Sequence, residues 1–284
     1  MPERIKAIDC CMFRPRVRPE RSQASSAIEA ETAEGRGGIL SLFPGAAERL
    51  AQPGTDEDLV TAMDAAGVEK GLVVVYDDED REWVVEAQRK YPGRFLLRVR
   101  VNPLQNGVMN EVRRVRRLIE KCGLQIITVT GYYLGVPCTD SRLFPLYSLA
   151  IDYDLKVGIS VGYPGPAGLA RNQHPLQVDE LCYLFPELKV IQTHLGHPWI
   201  EEVVHNVIKY PNCYVMTNEY REKYFPPEFV HHMNTRAQDK VMWASGHPIV
   251  TFEQSLADVE TLPLRDHVRP KYLRGNALRL FKFE

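Results

Sequence analysis

The chain has 284 residues, with 35 lysines and arginines against 37 aspartates and glutamates and a formal net charge of −2. Such a near-neutral chain without a long basic block gives no support for nucleic acid as a partner. No segment approaches the roughly 20 apolar residues that span a bilayer, and the start lacks the basic-then-apolar pattern of a signal peptide. We therefore expect a cytoplasmic protein that does not bind membranes.

Eight short apolar runs follow one another along the chain. From the second onward they begin roughly 23 to 33 residues apart, which accommodates a strand with a crossover helix and favours parallel βα units. The sequence therefore predicts an α/β fold, a (β/α)8 TIM barrel, as a single domain over residues 1–284. An open doubly wound sheet is the alternative, but no glycine-rich phosphate loop follows any run. The runs are IKAIDC (5–10), GLVVVY (71–76), RFLLRVRV (94–101), LQIITVT (124–130), LKVGISV (155–161), LKVIQTH (188–194), NCYVMTN (212–218) and KVMWASG (240–246).

One long segment, residues 14–54, interrupts this pattern after the first predicted strand. It is rich in Arg, Ser, Ala, Glu, Gly and Pro, and a connection of this length in a compact domain is usually functional or disordered. Because it leaves the C-terminal end of a barrel strand, we expect it to form a lid over the catalytic face. A helix is predicted to begin directly after it, where Thr55 and Asp58 form a capping box.

The third predicted strand places two arginines inside the barrel. Helices cover the outer face of every barrel strand, so the apolar row of RFLLRVRV must face outward. Arg98 and Arg100 belong to the other row and face inward, where a charge needs a partner. They form either an anion subsite for a carboxylate-bearing substrate or an internal ion pair with Asp9 or another acid.

Two adjacent cysteines end the first predicted strand. Successive strand side chains alternate, so one side of the strand carries Ile5, Ala7, Asp9, Cys11 and Phe13. Asp9 and Cys11 are expected to face the interior, while Cys10 packs among the helices. In a reducing compartment the six cysteines of the chain are expected to be free. A nucleophilic Cys11 requires a nearby base and a lowered thiol pKa, and the sequence shows neither.

Several stretches together carry a family resemblance. They are the first strand, the block LFPLYSLAIDYDLKVGISVGYPGP (143–166), the turn HLGHPW (194–199), the PPEF segment (226–229), DKVMWAS (239–245) and GNALRLF (275–281). Taken together they resemble the amidohydrolase superfamily, in its amidohydrolase 2 or aminocarboxymuconate-semialdehyde decarboxylase-like branch. The resemblance implies a barrel enzyme that uses a metal to hydrolyse or decarboxylate small aromatic and carboxylated molecules. It also implies a homodimer.

The resemblance further implies where the metal is held. The ligands are an H-x-H pair ending strand one, a histidine ending strand five, sometimes the strand-six histidine, and an aspartate ending strand eight. In this chain those positions are Cys11 and Phe13, the region of Ser160, His194, and Gly246. A divalent cation needs three or four converging donors, and Phe13 and Gly246 supply no side-chain donor. We therefore expect that most ligand positions are replaced and that no metal cofactor is bound.

A rebuilt metal site is the alternative. Cys11, His194 and His247 all lie at predicted strand ends, and a thiolate with two imidazoles can hold one zinc or manganese ion. Their spacing in the chain does not require such a site.

Acid–base catalysis without a metal needs suitable side chains near the strand ends. His194 or His247 is the predicted general acid or base, and Glu219 and Tyr132 in adjoining loops can exchange protons. Cys11 completes the candidate catalytic set. The candidate substrate-binding residues are Arg98, Arg100, Asp9, Tyr133, Ser160 and Trp199.

Three functions are therefore open from the sequence. The first is a metal-independent hydrolase or carbon–carbon lyase for a small carboxylated or aromatic compound. The second is a metal-dependent decarboxylase with rearranged ligands, and the third is a catalytically silent barrel that serves as a binding module. The inward arginines and His194 favour an enzyme, because a scaffold does not need them.

Overall fold

A computed structural model of the chain describes residues 5–15, 43–76, 78–163, 165 and 168–283. Eight parallel strands form one sheet in the order β1 to β8, which confirms the predicted (β/α)8 barrel. Backbone hydrogen bonds join the segment directly after β8 to β1: the Cys10 N–H donates to the Trp243 carbonyl over 3.1 Å, and the Gly246 N–H donates to the Cys11 carbonyl over 2.8 Å. The strands are β1 (Ala7–Met12), β2 (Val68–Val75), β3 (Phe95–Arg100), β4 (Leu124–Val129), β5 (Lys156–Ser160), β6 (Lys189–Thr193), β7 (Cys213–Met216) and β8 (Val241–Met242).

Helices connect the strands and cover the outside of the barrel. The predicted capping box is present, since the Asp58 N–H donates to Thr55 Oγ1 over 3.2 Å. No helix in the described part of the chain is long and apolar enough to cross a membrane. The helices are α1 (Ala46–Ala51), α2 (Asp56–Ala66), α3 (Asp78–Lys90), α4 (Pro103–Asn106), α5 (Val108–Cys122), α6 (Gly131–Leu134), α7 (Phe144–Asp152), α8 (Leu176–Leu184), α9 (Ile200–Lys209), α10 (Pro227–Met233), α11 (Phe252–Thr261) and α12 (Asn276–Leu280).

Three apolar clusters form the core of the described residues, and two of them make up most of it. The larger joins one row of each strand to the helices, and the smaller fills the barrel interior with the other row. The interior cluster includes Leu72, Leu96, Ile126 and Ile191 and is closed at one end by Leu280 and Phe281 of the C-terminal segment. On β3 the division follows the predicted alternation, with Phe95, Leu97 and Val99 on the helix side and Leu96 inside.

The first strand departs from the predicted alternation. Ala7 packs on the helix side, whereas Cys10 lies in the interior cluster together with Cys11. The expectations that Ala7 lies on the same side of the strand as Cys11 and that Cys10 packs among helices were therefore wrong. The cause is a shift in pairing with β2, where Asp9 pairs with Gly71 but Met12 pairs with Val73. Three steps on β1 thus oppose two on β2, and such a bulge turns two successive side chains towards the same region.

The predicted lid falls mostly on residues 16–42, which lie outside the described residues. Its final part is described and docks beside β8. The Arg49 guanidinium of α1 donates to the Pro248 carbonyl over 2.7 Å, and Ala46 packs with Ile249 and Val250. Phe13 lies against the same cluster. The end of the 14–54 segment is therefore held at the C-terminal end of the barrel.

Candidate active site at the C-terminal end of the barrel

A polar mouth lies above the apolar interior, at the C-terminal ends of the strands. The position follows from the fold, because parallel strands direct their C-terminal ends to one face of a barrel. β3 contributes Arg98 and Arg100, and the segments after β6 and β7 contribute His194 and Glu219. The charges of Arg98 and Glu219 both act on the pKa of His194, which places these three groups in one electrostatic environment.

Arg98 is a buried cation without an acidic partner. Its exposed fraction is 4%. The guanidinium contacts Thr128 Oγ1 at 3.4 Å and the Met216 sulfur at 3.5 Å, and Nε has no hydrogen-bond partner. Within the described residues it forms no ion pair, so the predicted alternative of an ion pair with Asp9 is not found. A buried charge of this kind is costly unless a ligand balances it.

Arg100 lies two residues further along the same strand, nearer the mouth. Its guanidinium carbon is 4.7 Å from the ring centre of Tyr76 and 4.1 Å from that of Tyr133. In the part of the chain that is described, its guanidinium has no acidic partner either. Two aromatic rings hold the cation by cation–π interaction, while its N–H groups stay available for an anion.

His194 lies in a tight turn directly after β6. His194, Leu195 and Gly196 have φ angles of 67°, 61° and 81°, a left-handed run that turns the chain sharply. The side-chain amide of Asn218 lies 3.0 Å from Nδ1 and fixes the ring. Nε2 has no partner among the described residues, and the side chain is 36% exposed. Burial lowers the pKa of His194, against the opposing charge of Glu219, so the imidazole is neutral at pH 7.

Glu219 faces His194 from the segment after β7. Its Oε2 lies 3.7 Å from His194 Nδ1, and its side chain is 11% exposed. The φ angle of Glu219 is 59°, which is uncommon for a residue with a side chain and marks a backbone held by its surroundings. A carboxylate and a neutral imidazole are thus placed side by side.

Asp9 and Cys11 are both buried at the junction of β1 and β8. The Asp9 carboxylate accepts hydrogen bonds from the Ser245 hydroxyl, from the Ser245 N–H at 3.0 Å and from the Cys11 N–H at 2.9 Å. Burial raises the pKa of Asp9 to about 7. Burial also raises the pKa of the Cys11 thiol well above its usual value, so the thiol is protonated. The geometry gives Asp9 a local bonding role and does not activate Cys11 as a nucleophile.

His247 does not join the other candidates. Its ring stacks on Phe252 at a centroid distance of 4.0 Å, and its Nδ1 is buried without a hydrogen-bond partner. Burial lowers the pKa of His247 to about 4, and the neighbouring charges that act on it belong to Glu253 and Arg49. The structure therefore separates His247 from the environment shared by His194, and the ring is neutral at pH 7.

The remaining candidates lie around the mouth. The Ser160 hydroxyl is 3.3 Å from that of Thr130 and is buried. Tyr133 covers Arg100. The half-buried Tyr132 packs closely against the backbone of Gly168, since a Cβ added at position 168 would lie 2.7 Å from the Cβ of Tyr132. The Trp199 ring stacks with Tyr163 at 5.3 Å and lies 4.3 Å from His174, so it belongs to an aromatic group in the loops after β5 and β6.

Sequence reasoning missed three residues at this site. Tyr76 follows β2 and contacts Arg100, Asn218 holds His194, and Thr128 contacts Arg98. Alternation offered a signal for Thr128, which lies two residues after Ile126 in the inward row of β4. Nothing in the local sequence indicated that Asn218 would meet His194, because that contact spans two strands.

The family model described as amidohydrolase matches residues 28–283. The chain belongs to this amidohydrolase family. The membership confirms the sequence resemblance and supports an amidohydrolase-like enzyme. None of the curated proteins matches the chain.

Several solved structures share the fold of this chain. An uncharacterized TIM-barrel protein from Bordetella bronchiseptica is 22% identical, with a TM-score of 0.75 over 96% of this chain and 97% of that chain. 5-Carboxyvanillate decarboxylase from Sphingomonas paucimobilis is 15% identical, with a TM-score of 0.68 over 99% and 100%. The enzyme of the same name from Novosphingobium aromaticivorans, solved as a mutant with manganese and a nitrobenzoic acid, is 16% identical, with a TM-score of 0.67 over 97% and 96%.

The side chains that the structure describes at the barrel mouth do not fit a divalent cation. In the described residues, no three His, Cys, Asp or Glu side chains come close enough together to hold a metal ion. Of the set Cys11, His194 and His247, the ring of His247 stacks on Phe252 and does not join the other two. Ser160, Phe13 and Gly246, at the other implied positions, supply at most one neutral hydroxyl.

Proposed function

We propose that this amidohydrolase is a metal-independent enzyme that binds a small carboxylated or aromatic compound and hydrolyses it by side-chain acid–base catalysis. A lactone, an amide or a carbon–carbon bond next to a carbonyl is the proposed target. The single observation that carries the proposal is Arg98, a cation that is 4% exposed and has no acidic partner in the described part of the chain. Such a group is tolerated where a substrate anion neutralises it.

The arginines are proposed to bind and orient the substrate. Arg98 and Arg100 are two residues apart on one strand face, so their Cα atoms are roughly 6 to 7 Å apart along the mouth. The substrate carboxylate binds one guanidinium or bridges both, and the other end of the substrate then lies towards the segments after β6 and β7. There the substrate meets His194, whose Nε2 is not engaged by any described residue.

His194 is proposed to move the proton. Its neutral imidazole can take a proton at Nε2 from a water that attacks a carbonyl carbon, and it can return that proton to the leaving oxygen or nitrogen. Taking a proton at Nε2 requires the tautomer with Nδ1–H. In that tautomer the Asn218 amide is turned so that its oxygen, which otherwise has no partner among the described residues, accepts from Nδ1 and keeps the ring in one orientation through both steps. Negative charge that develops on the carbonyl oxygen is stabilised by an arginine N–H. Ser160 and Tyr132 are proposed to contact the substrate from β5 and α6.

A metal-dependent decarboxylase is the second candidate, because a structural neighbour that is a decarboxylase holds manganese. A metal-dependent enzyme needs several metal-ligating side chains close together, and the described residues do not provide such a group at the mouth. Elemental analysis of the purified protein distinguishes the two. About one equivalent of zinc or manganese, with activity lost on chelation, favours the decarboxylase. Turnover that survives chelation favours the proposed function. Homodimerisation and a cytoplasmic location also stay proposals.

The experiment for the proposed function has two parts. Calorimetry with benzoate measures anion binding by the wild type, by Arg98→Met and by Arg116→Met, a matched control at an exposed arginine of α5. Of the two variants, we expect only Arg98→Met to lose benzoate binding. Turnover is then sought among lactones and aromatic carboxylates in chelator. Benzoate binding that is unchanged in Arg98→Met would contradict the proposed subsite, and a protein that binds carboxylates but turns over none would indicate the silent binding module.

A further inference from the structure

Gly246, directly after β8, has no room for a side chain. Its φ angle is 73°, and a Cβ built there would lie 2.5 Å from Cγ of Glu219 and 3.4 Å from the Glu219 nitrogen. Non-bonded carbon atoms do not approach to 2.5 Å, since the favourable contact distance is about 3.5 to 4.0 Å. Any side chain at position 246 therefore excludes the present position of Glu219.

Glu219 is an acid whose carboxylate is not used in hydrogen bonds to the surrounding described residues. The other buried acid of this region, Asp9, accepts hydrogen bonds from Ser245 and from Cys11. The Glu219 carboxylate accepts no hydrogen bond from any described residue, and it lies 3.7 Å from His194 Nδ1. Burial raises the pKa values of Cys11 and Tyr76, which lie at the ends of β1 and β2, and the negative charge of Glu219 raises both further. The charge therefore reaches across the mouth.

We propose that the missing side chain at Gly246 lets Glu219, carried by the neighbouring segment after β7, fill the β8 end of the mouth and supply the negative charge of the site. This inference rests on the proposed function, because it assigns a role within the same mouth. Glu219 acts through His194. When Nε2 takes a proton, the carboxylate on the Nδ1 side stabilises the imidazolium. Glu219 is thus a positioning residue opposite the two arginines.

Thermal unfolding tests the shared space without any substrate. Gly246→Ala is compared in the wild type and in Glu219→Ala, which lacks the Cγ that would clash. Gly135→Ala is the matched control, because Gly135 has a φ angle of 72° and a Cβ there would meet nothing within 4 Å. We expect Gly246→Ala to lower Tm more than Gly135→Ala does in the wild type, and to lose that excess in the Glu219→Ala background. An equal fall in both backgrounds would overturn the shared space.

Benzoate binding tests the charge. Removing a negative charge that faces the anion subsite should tighten the binding of an anion, so we expect Glu219→Gln to bind benzoate about 3- to 10-fold more tightly than the wild type. An unchanged affinity in Glu219→Gln, with binding lost in Arg98→Met, would overturn this inference and leave the anion subsite standing. Benzoate binding by no variant, Glu219→Gln included, would overturn both this inference and the proposed subsite.

Catalysis supplies the last test, on the compound turned over in the screen. Glu219→Gln should lower kcat about 10- to 100-fold without raising KM, because the carboxylate stabilises a charge formed during the reaction and not the bound substrate. Glu219→Asp should recover part of the loss, since it returns a carboxylate to the same segment. A purely structural role would not produce this division between kcat and KM, and a raised KM with an unchanged kcat would contradict the proposed role.

Discussion

The two ends of the barrel interior are built from the same strands but with opposite chemistry. At the N-terminal end, Ile8, Leu72 and Leu96 pack with Leu280 and Phe281 into an apolar plug. At the C-terminal end the same inward row of β3 continues as Arg98 and Arg100, two cations without acidic partners in the described residues. The first end is filled by apolar contacts within the chain, whereas the second carries two cations that form no ion pair with any described residue. The comparison separates an end that stabilises the fold from an end that we propose binds the substrate.

The largest expected effect is at the mouth. His194→Gln should lower kcat about 10²- to 10⁴-fold, because the ring is proposed to carry the proton. Its effect on Tm should be small, since the side chain is 36% exposed. His205→Gln on α9, at an exposed histidine, is the control and should change neither quantity. An unchanged kcat in His194→Gln would remove the main functional distinction between the two ends.

The next effect compares two neighbours in the inward row of β3. Leu96→Ala should lower the free energy of unfolding by about 2–5 kcal/mol, because it leaves a cavity in the apolar plug. Arg98→Met should not lower that free energy and should raise it by about 1–4 kcal/mol, since it removes an unbalanced buried charge. Urea unfolding of both variants measures the difference. Strong destabilisation by Arg98→Met would mean that the mouth is structural after all.

Glu222 is a buried acid that belongs to neither end of the barrel interior, and its titration affects stability alone. Glu222 is 1% exposed, and burial raises its pKa from 4.5 to about 8, although Ser255 and Tyr272 lie within hydrogen-bond distance. Because the pKa is higher in the folded state than in the unfolded state, proton binding by Glu222 stabilises the fold. This contribution is fully present below pH 4.5 and is lost as the pH rises through about 8.

The corresponding variant is Glu222→Gln, which cannot titrate. Between pH 6 and pH 9 the wild type should lose about 2–3 kcal/mol more of its free energy of unfolding than the variant does. Urea unfolding at the two pH values measures this difference. The raised pKa of Asp9 acts in the same direction but is present in both proteins, so it cancels. Equal losses in the two proteins would show that Glu222 does not titrate in this range.

The smallest effect concerns the ring over Arg100. Tyr133 is 40% exposed and lies 4.1 Å from the guanidinium carbon. Tyr133→Leu should weaken benzoate binding about 2- to 5-fold, the equivalent of about 0.5–1 kcal/mol for an exposed cation–π contact. Tyr133→Phe keeps the ring and should bind as the wild type does. A loss in the phenylalanine variant would point to the hydroxyl instead of the ring.

Much of this arrangement could be predicted from the chain. All eight predicted runs contain or overlap the observed strands, and the inward row with Arg98 follows from the apolar row beside it. Regular alternation failed at Cys10, where a bulge against β2 interrupts it. The bulge depends on pairing with a partner strand, and no periodicity within β1 records it. The sequence also did not show that His247 lies apart from His194, because its ring stacks on Phe252 of the next helix, a contact that the pattern of the strand does not record.

The sequence by itself determined the barrel, the family and the presence of arginines inside, because these depend on local patterns and on motifs read along one strand. Only the tertiary structure decided which charges are balanced. Asp9 bonds to Ser245 and forms no ion pair with Arg98, Asn218 fixes His194, and Glu219 fills the space above Gly246. Each of these contacts joins residues from different strands, and the distance between such side chains is set by how the closed sheet brings the strand ends together.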